Sequence, residues 1–141
     1  MADPRDEVAY DGIDAHYTTY AHDNTIVFDA TQSGGAAQVG RALTLVDDKK
    51  VGLADDGDPI VGELILVEVG GKCNVQDEGY VKLPAGDGAA VTPGSKVVGD
   101  LGPGGAKGYI RNVAPATLAE VAVARGEIID ATDATKVVVK L

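Results

Sequence analysis

The sequence predicts a mainly β fold: a small β-barrel domain with one short helix and an extended N-terminal arm. Three observations carry that expectation. Glycine occupies 19 of the 141 positions, about 13% against the usual ~7%, which suits tight turns and short strands better than helices. From Gly40 onward, short runs of Val, Leu and Ile alternate with hairpin-length breaks such as Asp-Asp, Asp-Asp-Gly-Asp-Pro and Gly-Gly. Residues 1–36 are a different kind of chain, with seven acids (Asp3, Asp6, Glu7, Asp11, Asp14, Asp23, Asp29) against Arg5, so they hold −6 of the net −10.

The arm, 1–36, shows little strand or helix periodicity beyond Thr25 to Phe28. Yet it holds four of the six aromatics, Tyr10, Tyr17, Tyr20 and Phe28. Each such ring seeks roughly 150–250 Å² of buried surface, and a disordered tail normally avoids them. The arm is therefore expected to dock on a partner through these four side chains, while 37–141 forms the barrel.

In the body, Arg41 to Val46, Lys50 to Ala54, Ile60 to Val69 and Lys72 to Leu83 read as strands. The third looks buried on both faces at its centre. The fourth is half-buried, with Cys73, Val75, Val81 and Leu83 on one face and Asn74, Gln76, Glu78, Tyr80 and Lys82 on the other. A Gly/Pro-rich stretch from Pro84 to Gly108 holds a short strand at Val97 and Val98, and Tyr109 to Val113 follows as another. Pro115 to Ala124 is the predicted helix: Pro115 suits a first turn, Leu118, Val121 and Ala122 recur at helical spacing, Arg125 complements the C-terminal dipole and Gly126 can take the left-handed cap. It is expected to plug one end of the barrel. Glu127 to Ala131 and Lys136 to Leu141 close the chain as two strands, with Val137, Val139 and Leu141 on one face.

Charge and motifs exclude much. A net charge of −10 repels nucleic-acid phosphate and anionic lipid alike, and no apolar run approaches the ~18 residues of a membrane span. The N-terminus lacks the basic and apolar regions of a signal peptide, so synthesis in a cytoplasm is expected. Cys73 is the single cysteine, which excludes an intrachain disulfide and fits a passive strand residue. The glycine-dense run Gly102 to Gly108 has Ala106 before Lys107 and Gly108 after it, which breaks a phosphate-binding loop, and as a dinucleotide fingerprint it puts Lys107 where the third glycine belongs. His16 and His22, flanked by Asp14 and Asp23, have none of the familiar zinc spacings. Asp55-Asp56-Gly57-Asp58 offers too few oxygens for calcium and runs straight into Pro59, so a plain turn is expected. Asp48-Lys49 with Val91 to Val97 is similar to the lysine hairpin of lipoyl and biotinyl carriers, but there the two features lie closer together. No enzyme, cofactor or metal is expected.

Four segments taken together resemble a known family. They are Gly-Arg-Ala-Leu-Thr-Leu through Pro-Ile-Val-Gly-Glu-Leu (Gly40 to Leu64), Gly-Tyr-Val-Lys-Leu-Pro (Gly79 to Pro84), Val-Thr-Pro-Gly-Ser-Lys-Val-Val-Gly (Val91 to Gly99) and the run from Ala124 to Leu141. Over about 40–141 the chain resembles the capsid decoration, or cement, proteins of tailed bacteriophages; residues 1–36 match only in kind, as an arm. The resemblance implies a β-barrel or β-tulip domain, a homotrimer with a dimer as the alternative, made in the host cytoplasm and added to the outer surface of an assembled head. Its partner would be the major capsid protein, whose subunits it locks against internal DNA pressure. The alternatives are a surface β-domain that binds carbohydrate or a host receptor and, behind it, a trimeric β-barrel nucleotide hydrolase.

Overall fold

A computed structural model describes residues 14–87 and 90–141, and it is mainly β. Five strands make a closed barrel in the order β1 (His16–His22), β3 (Lys50–Leu53), β2 (Ala42–Asp47), β4 (Gly62–Val67) and β5 (Lys72–Glu78). Beyond it, β6 (Tyr80–Leu83), β10 (Val137–Lys140) and β9 (Glu127–Asp130) form a three-stranded sheet, and β7 (Val97–Asp100) pairs with β8 (Tyr109–Asn112). Among the described residues there is one α-helix, α1 (Leu118–Val123), which precedes β9.

The barrel closes through a segment expected to lie in the arm. Strand β1 runs antiparallel to β5, with Thr18 opposite Val75 and Tyr20 opposite Cys73, and parallel to β3 at Ala21 and His22. Tyr20 therefore faces inward and packs against the buried cluster of Leu43, Leu64, Cys73 and Val75. The division at residue 36 is corrected accordingly, because Ile26 and Ala36 are buried in that same cluster. The physical reason is edge satisfaction: without β1 the outer edges of β3 and β5 would be left unpaired. After β1 the chain is stapled back onto β3. Asp23 N–H donates to Val51 O at 3.0 Å, and Leu53 N–H donates to Thr25 Oγ1 at 3.0 Å. Gly52 is required here, since a Cβ on it would stand 2.2 Å from Asp23 Oδ2.

Two further expectations are corrected by strand irregularities. A register shift between Leu64 and Leu66 leaves Ile65 as the extra residue, so Leu64 and Val67 both face the barrel interior while Leu66 faces out. The strand expected to be buried on both faces is a bulged strand with one inner face. The segment Lys72 to Leu83 is two strands, because Gly79 sits at φ 90° and turns the chain out of the barrel into the second sheet. The alternation survives the turn: Cys73, Val75, Val81 and Leu83 are all buried.

Two cores result. One fills the barrel, and the other, built on Val81, Leu83, Ile110, Ile128, Val137 and Val139, lies under the second sheet and the β7–β8 pair. They meet back to back on β2, where Ala42 belongs to one and Leu43 to the other. Polar side chains join the two modules. Gln76 donates its amide to Glu78 O and Tyr80 O, both at 3.2 Å, and Glu63 Oε1 accepts from Lys82 N–H at 2.9 Å. Arg125 donates to Val61 O at 2.8 Å and Asp77 O at 2.6 Å.

The helix differs most from expectation. It begins at Leu118 rather than Pro115, buries none of its residues and leaves Leu118 83% exposed, so it does not plug the barrel. Ala124 ends it in extended geometry, and Arg125 exchanges backbone hydrogen bonds with Val97 instead of capping the helix. The barrel interior needs no plug because Ile26 and Ala36 already line it.

Truncation separates the parts. Removing residues 1–13 should leave a cooperative thermal transition, whereas removing 1–22 takes out β1 and should give a chain that aggregates or loses cooperativity, as followed by circular dichroism and gel filtration. The β2–β3 turn holds Lys49 at φ 56°. Lys49→Gly should stabilise the chain by about 0.5–1 kcal/mol in chemical denaturation, since a side chain is strained there.

Candidate functional site

The β7–β8 pair has two unlike faces. Val97 and Ile110 point into the second core, while Val98, Asp100 and Arg111 lie on the opposite face. That face is roofed by α1 and by the Asp55–Asp58 turn, which is hydrogen-bonded to β7 through Gly57 N–H to Gly99 O at 2.9 Å and Gly99 N–H to Asp58 O at 2.8 Å. A cleft of about 480 Å³ opens there, lined by Asp56, Asp87, Asp100, Leu101, Gly102, Arg111 and Ala114.

Arg111 organises this cleft. Its Nη1 and Nη2 donate to the two carboxylate oxygens of Glu120 at 2.7 and 3.0 Å, its Nε donates to Asp56 Oδ1 at 3.0 Å, and Nη1 also reaches Asn112 O at 3.1 Å. Asp100 Oδ1 stands 4.0 Å from Nε. Hydrogen bonding to Glu120 drives the guanidinium pKa up, and the reciprocal bond, helped by Ala114 N–H, holds Glu120 below its ordinary value. Four of the five guanidinium hydrogens are thus committed to the protein's own oxygens. The arrangement clamps α1 and the Asp55–Asp58 turn to β8, and leaves this cation little capacity to polarise a substrate.

The acids of the turn are engaged in the same way. Asp58 N–H donates to Asp55 O at 3.1 Å, Asp55 pairs with Lys107 at 3.3 Å and Asp56 with Arg111. The turn expected from the sequence is therefore present, built on ion pairs. Among the described residues, no group of three or more His, Cys, Asp or Glu side chains is placed to share a metal ion. His16 and His22 lie at the two ends of β1, about 20 Å apart at strand rise, too far to share one ion. Cys73 is a buried strand residue whose thiol is pushed up to about 11 by burial, so it is a poor nucleophile at neutral pH.

The four predicted contact residues are not gathered on one surface. Tyr10 lies outside the described residues. Tyr17 and Tyr20 occupy opposite faces of β1, Tyr17 being 49% exposed opposite Gln76 on the outer wall and Tyr20 packed on the barrel core. Phe28, 37% exposed, lies beside Gly35 in the short 3-10 turn (Ser33–Gly35) that rests on β4. Tyr17 and Phe28 are exposed, whereas Tyr20 packs on the barrel core. Sequence reading missed Arg111 and Glu120 and gave Arg125 only a helix-end role; for Arg111, a cation beside Ile110 in a predicted strand was the one local signal.

At the mouth of β1, the register shift between His16 and Tyr17 leaves Asp77 outside the ladder. Its carboxylate takes His16 Nδ1 at 2.7 Å and Thr18 Oγ1 at 2.7 Å. The hydrogen bond to Asp77, then its charge, raises the His16 pKa above the ordinary 6.5. A raised folded pKa means that protonated His16 contributes stability fully below pH 6.5, and that this share is lost as pH rises through the raised value.

Asp77→Asn should therefore bring the His16 titration, followed by proton NMR of the ring, back toward 6.5. Arg111→Met removes the clamp and leaves Glu120, Asp56 and Asp100 facing one another without their cation. The expected loss is about 3 kcal/mol or more in urea unfolding; a loss under about 1 kcal/mol would show the network to be solvent-screened.

Comparison with models of known families, with curated proteins and with solved structures finds no match for this chain. What the geometry offers at this cleft is a self-satisfied ionic clamp that positions an outward-facing helix.

Proposed function

We propose that the chain is a structural decoration protein of a tailed-phage head, bound to the outer surface of the assembled shell, bridging neighbouring major capsid subunits and stabilising the shell against internal DNA pressure. The observation that carries this reading is α1. Leu118 and Val121, 83% and 46% exposed, are neighbours on one side of a helix that buries nothing, yet Glu120 on that helix is fixed by two hydrogen bonds to Arg111. An apolar stripe held rigid and turned outward loses little conformational entropy when a partner covers it. Tyr17, Val27, Phe28 and Leu66 add exposed apolar area on the barrel side. The strand-and-turn resemblance from Gly40 to Leu141 names the class of partner, and the barrel with a separate second sheet fits a small body of that kind.

The mechanism is additive. A homotrimer presents three copies of each surface, so contacts that are weak singly become a tight clamp when all three engage together. An acidic exterior, net −10, keeps the protein off DNA and leaves the shell as the surface it decorates.

The test is co-sedimentation with purified expanded heads, with glycan and nucleotide binding measured in parallel. Leu118→Asp with Val121→Asp, and separately Tyr17→Ala with Phe28→Ala, should each weaken head binding by about 2 kcal/mol or more. Asp11→Asn with Asp14→Asn should change it far less. Wild-type protein that fails to co-sediment while binding a glycan or hydrolysing a nucleotide would replace this reading with the corresponding alternative.

A further inference from the structure

A second pocket, of about 380 Å³, opens at the seam between the barrel and the second sheet, with Arg41, Tyr109 and Lys136 among its lining residues. Glu63 and Lys82 also line it, but both have interactions of their own within the chain, so the donors open to a ligand are those of Arg41 and Lys136. Arg41 differs from the other described arginines in what it has left to give. Arg111 commits four of its five guanidinium hydrogens, and Arg125 donates to the carbonyls of Ile60, Val61 and Asp77. Arg41 makes one side-chain hydrogen bond among the described residues, from Nη1 to Lys107 O at a long 3.4 Å. Its guanidinium carbon lies 5.5 Å from the centroid of the Tyr109 ring, so a face is stacked while the edge keeps its donors. Lys136 is exposed and forms no ion pair with a described residue; its charge helps to hold Asp133 below its ordinary value, behind the hydrogen bonds from Thr135.

The Gly102 to Gly108 run, which fails as a phosphate loop, builds this stack. A Cβ on Gly102 would run into the Tyr109 ring, and one on Gly108, whose φ is 96°, would stand 2.8 Å from Arg41 Cβ. Gly108 is itself pinned, accepting from Ala42 N–H at 2.7 Å and donating to Ala54 O at 2.8 Å. The cation and its ring are therefore seated before a ligand arrives, which lowers the ordering cost of binding.

The ligand must be an anion, and its charge must be small. Glu63 already places one acid at the pocket of a chain whose net charge is −10. A carboxylate brings one negative charge, whereas a phosphate monoester brings about −1.5 to −2 and is repelled more strongly. Val39, Pro84 and the Tyr109 ring add apolar wall, against which the methylenes of a side chain can pack.

We propose that the Arg41–Lys136 pocket is a binding site for a carboxylate of a partner polypeptide, a Glu side chain, received by the edge of the Arg41 guanidinium and the ammonium of Lys136. The site is separate from α1 and from Tyr17 and Phe28, and it stands whether or not the partner is a capsid subunit.

The experiment titrates isotopically labelled full-length protein with the blocked peptide acetyl-Gly-Glu-Glu-Gly-amide, with its Gln counterpart and with inorganic phosphate, following backbone amides by NMR. The Glu peptide should give a saturable shift centred on Gly40, Arg41, Gly108, Tyr109 and Lys136, and the Gln peptide none. Its affinity should fall about fivefold or more at ~0.5 M salt, where charge attraction is screened within a few ångströms. Arg41→Gln and Lys136→Gln should each weaken it about threefold or more, and Lys96→Gln should not. Lys136 is exposed, so its replacement carries little risk to folding. An equal response to both peptides, shifts scattered over Lys49, Lys72 and Lys96, indifference to Lys136→Gln, or phosphate binding tighter than the Glu peptide would each overturn the proposal.

Discussion

Closure of the barrel by His16–His22 is the constraint on which the rest depends. A five-stranded barrel has no spare strand, and each open edge would present a row of unpaired backbone groups to any passing chain. With β1 in place, β5 is paired on both sides, by β1 and β4, and can serve as the fixed wall from which Gly79 launches the second sheet. The bulge that places Asp77 between His16 and Thr18 belongs to the same closure. It secures the first strand at its open end by side-chain hydrogen bonds where ladder pairing becomes irregular.

The second sheet has few strands and could not hold its own core alone, since isolated two- and three-stranded units are marginal in water. Its stability is borrowed through residues that face two ways. Ala42 and Leu43, adjacent on β2, bury their side chains in different cores. Gln76 and Glu63, neighbours across β4 and β5, turn outward and satisfy backbone groups at the start of β6, while Arg125 reaches back from the far side to the carbonyls of Val61 and Asp77. Losing any of these would expose buried donors or acceptors at the junction as well as a contact.

Much of this was legible in the sequence, and the failures are physically instructive. The strands from Ala42 to Lys140 are where Val, Leu and Ile runs and their turn residues lie, and the alternation Cys73, Val75, Val81, Leu83 marks the inner face correctly even across Gly79. Strand β1 was hidden because its inward positions are Thr18 and Tyr20 rather than Val, Ile or Leu, and the Tyr-Thr-Thr-Tyr run signals strand only through propensity. The helix was legible in kind but not in place, because Leu118 and Val121 recur at the spacing of a core-facing stripe whether the face meets a core or solvent. The clamp could not be read at all: Asp56 and Glu120 lie 55 and 9 residues from Arg111, and only folding brings all three together.

Charge and apolar exposure divide the surface into roles. Asp55, Asp56 and Glu120 near α1 are paired with Lys107 and Arg111, so the helix projects Leu118 and Val121 from a base whose negative charge is partly offset. Removing local charge beneath an apolar stripe lowers the desolvation cost of covering it. Two residues earlier on β8, Tyr109 holds Arg41 at the seam where cations gather. The β7–β8 pair thus supports both features, an apolar outward helix through Arg111 and a basic pocket through Tyr109, two residues apart on one strand. Alternation on a strand would put those two side chains on the same face, so the clamp and the pocket must share the backbone rigidity of β8. A change that loosens this strand is therefore felt at both surfaces at once.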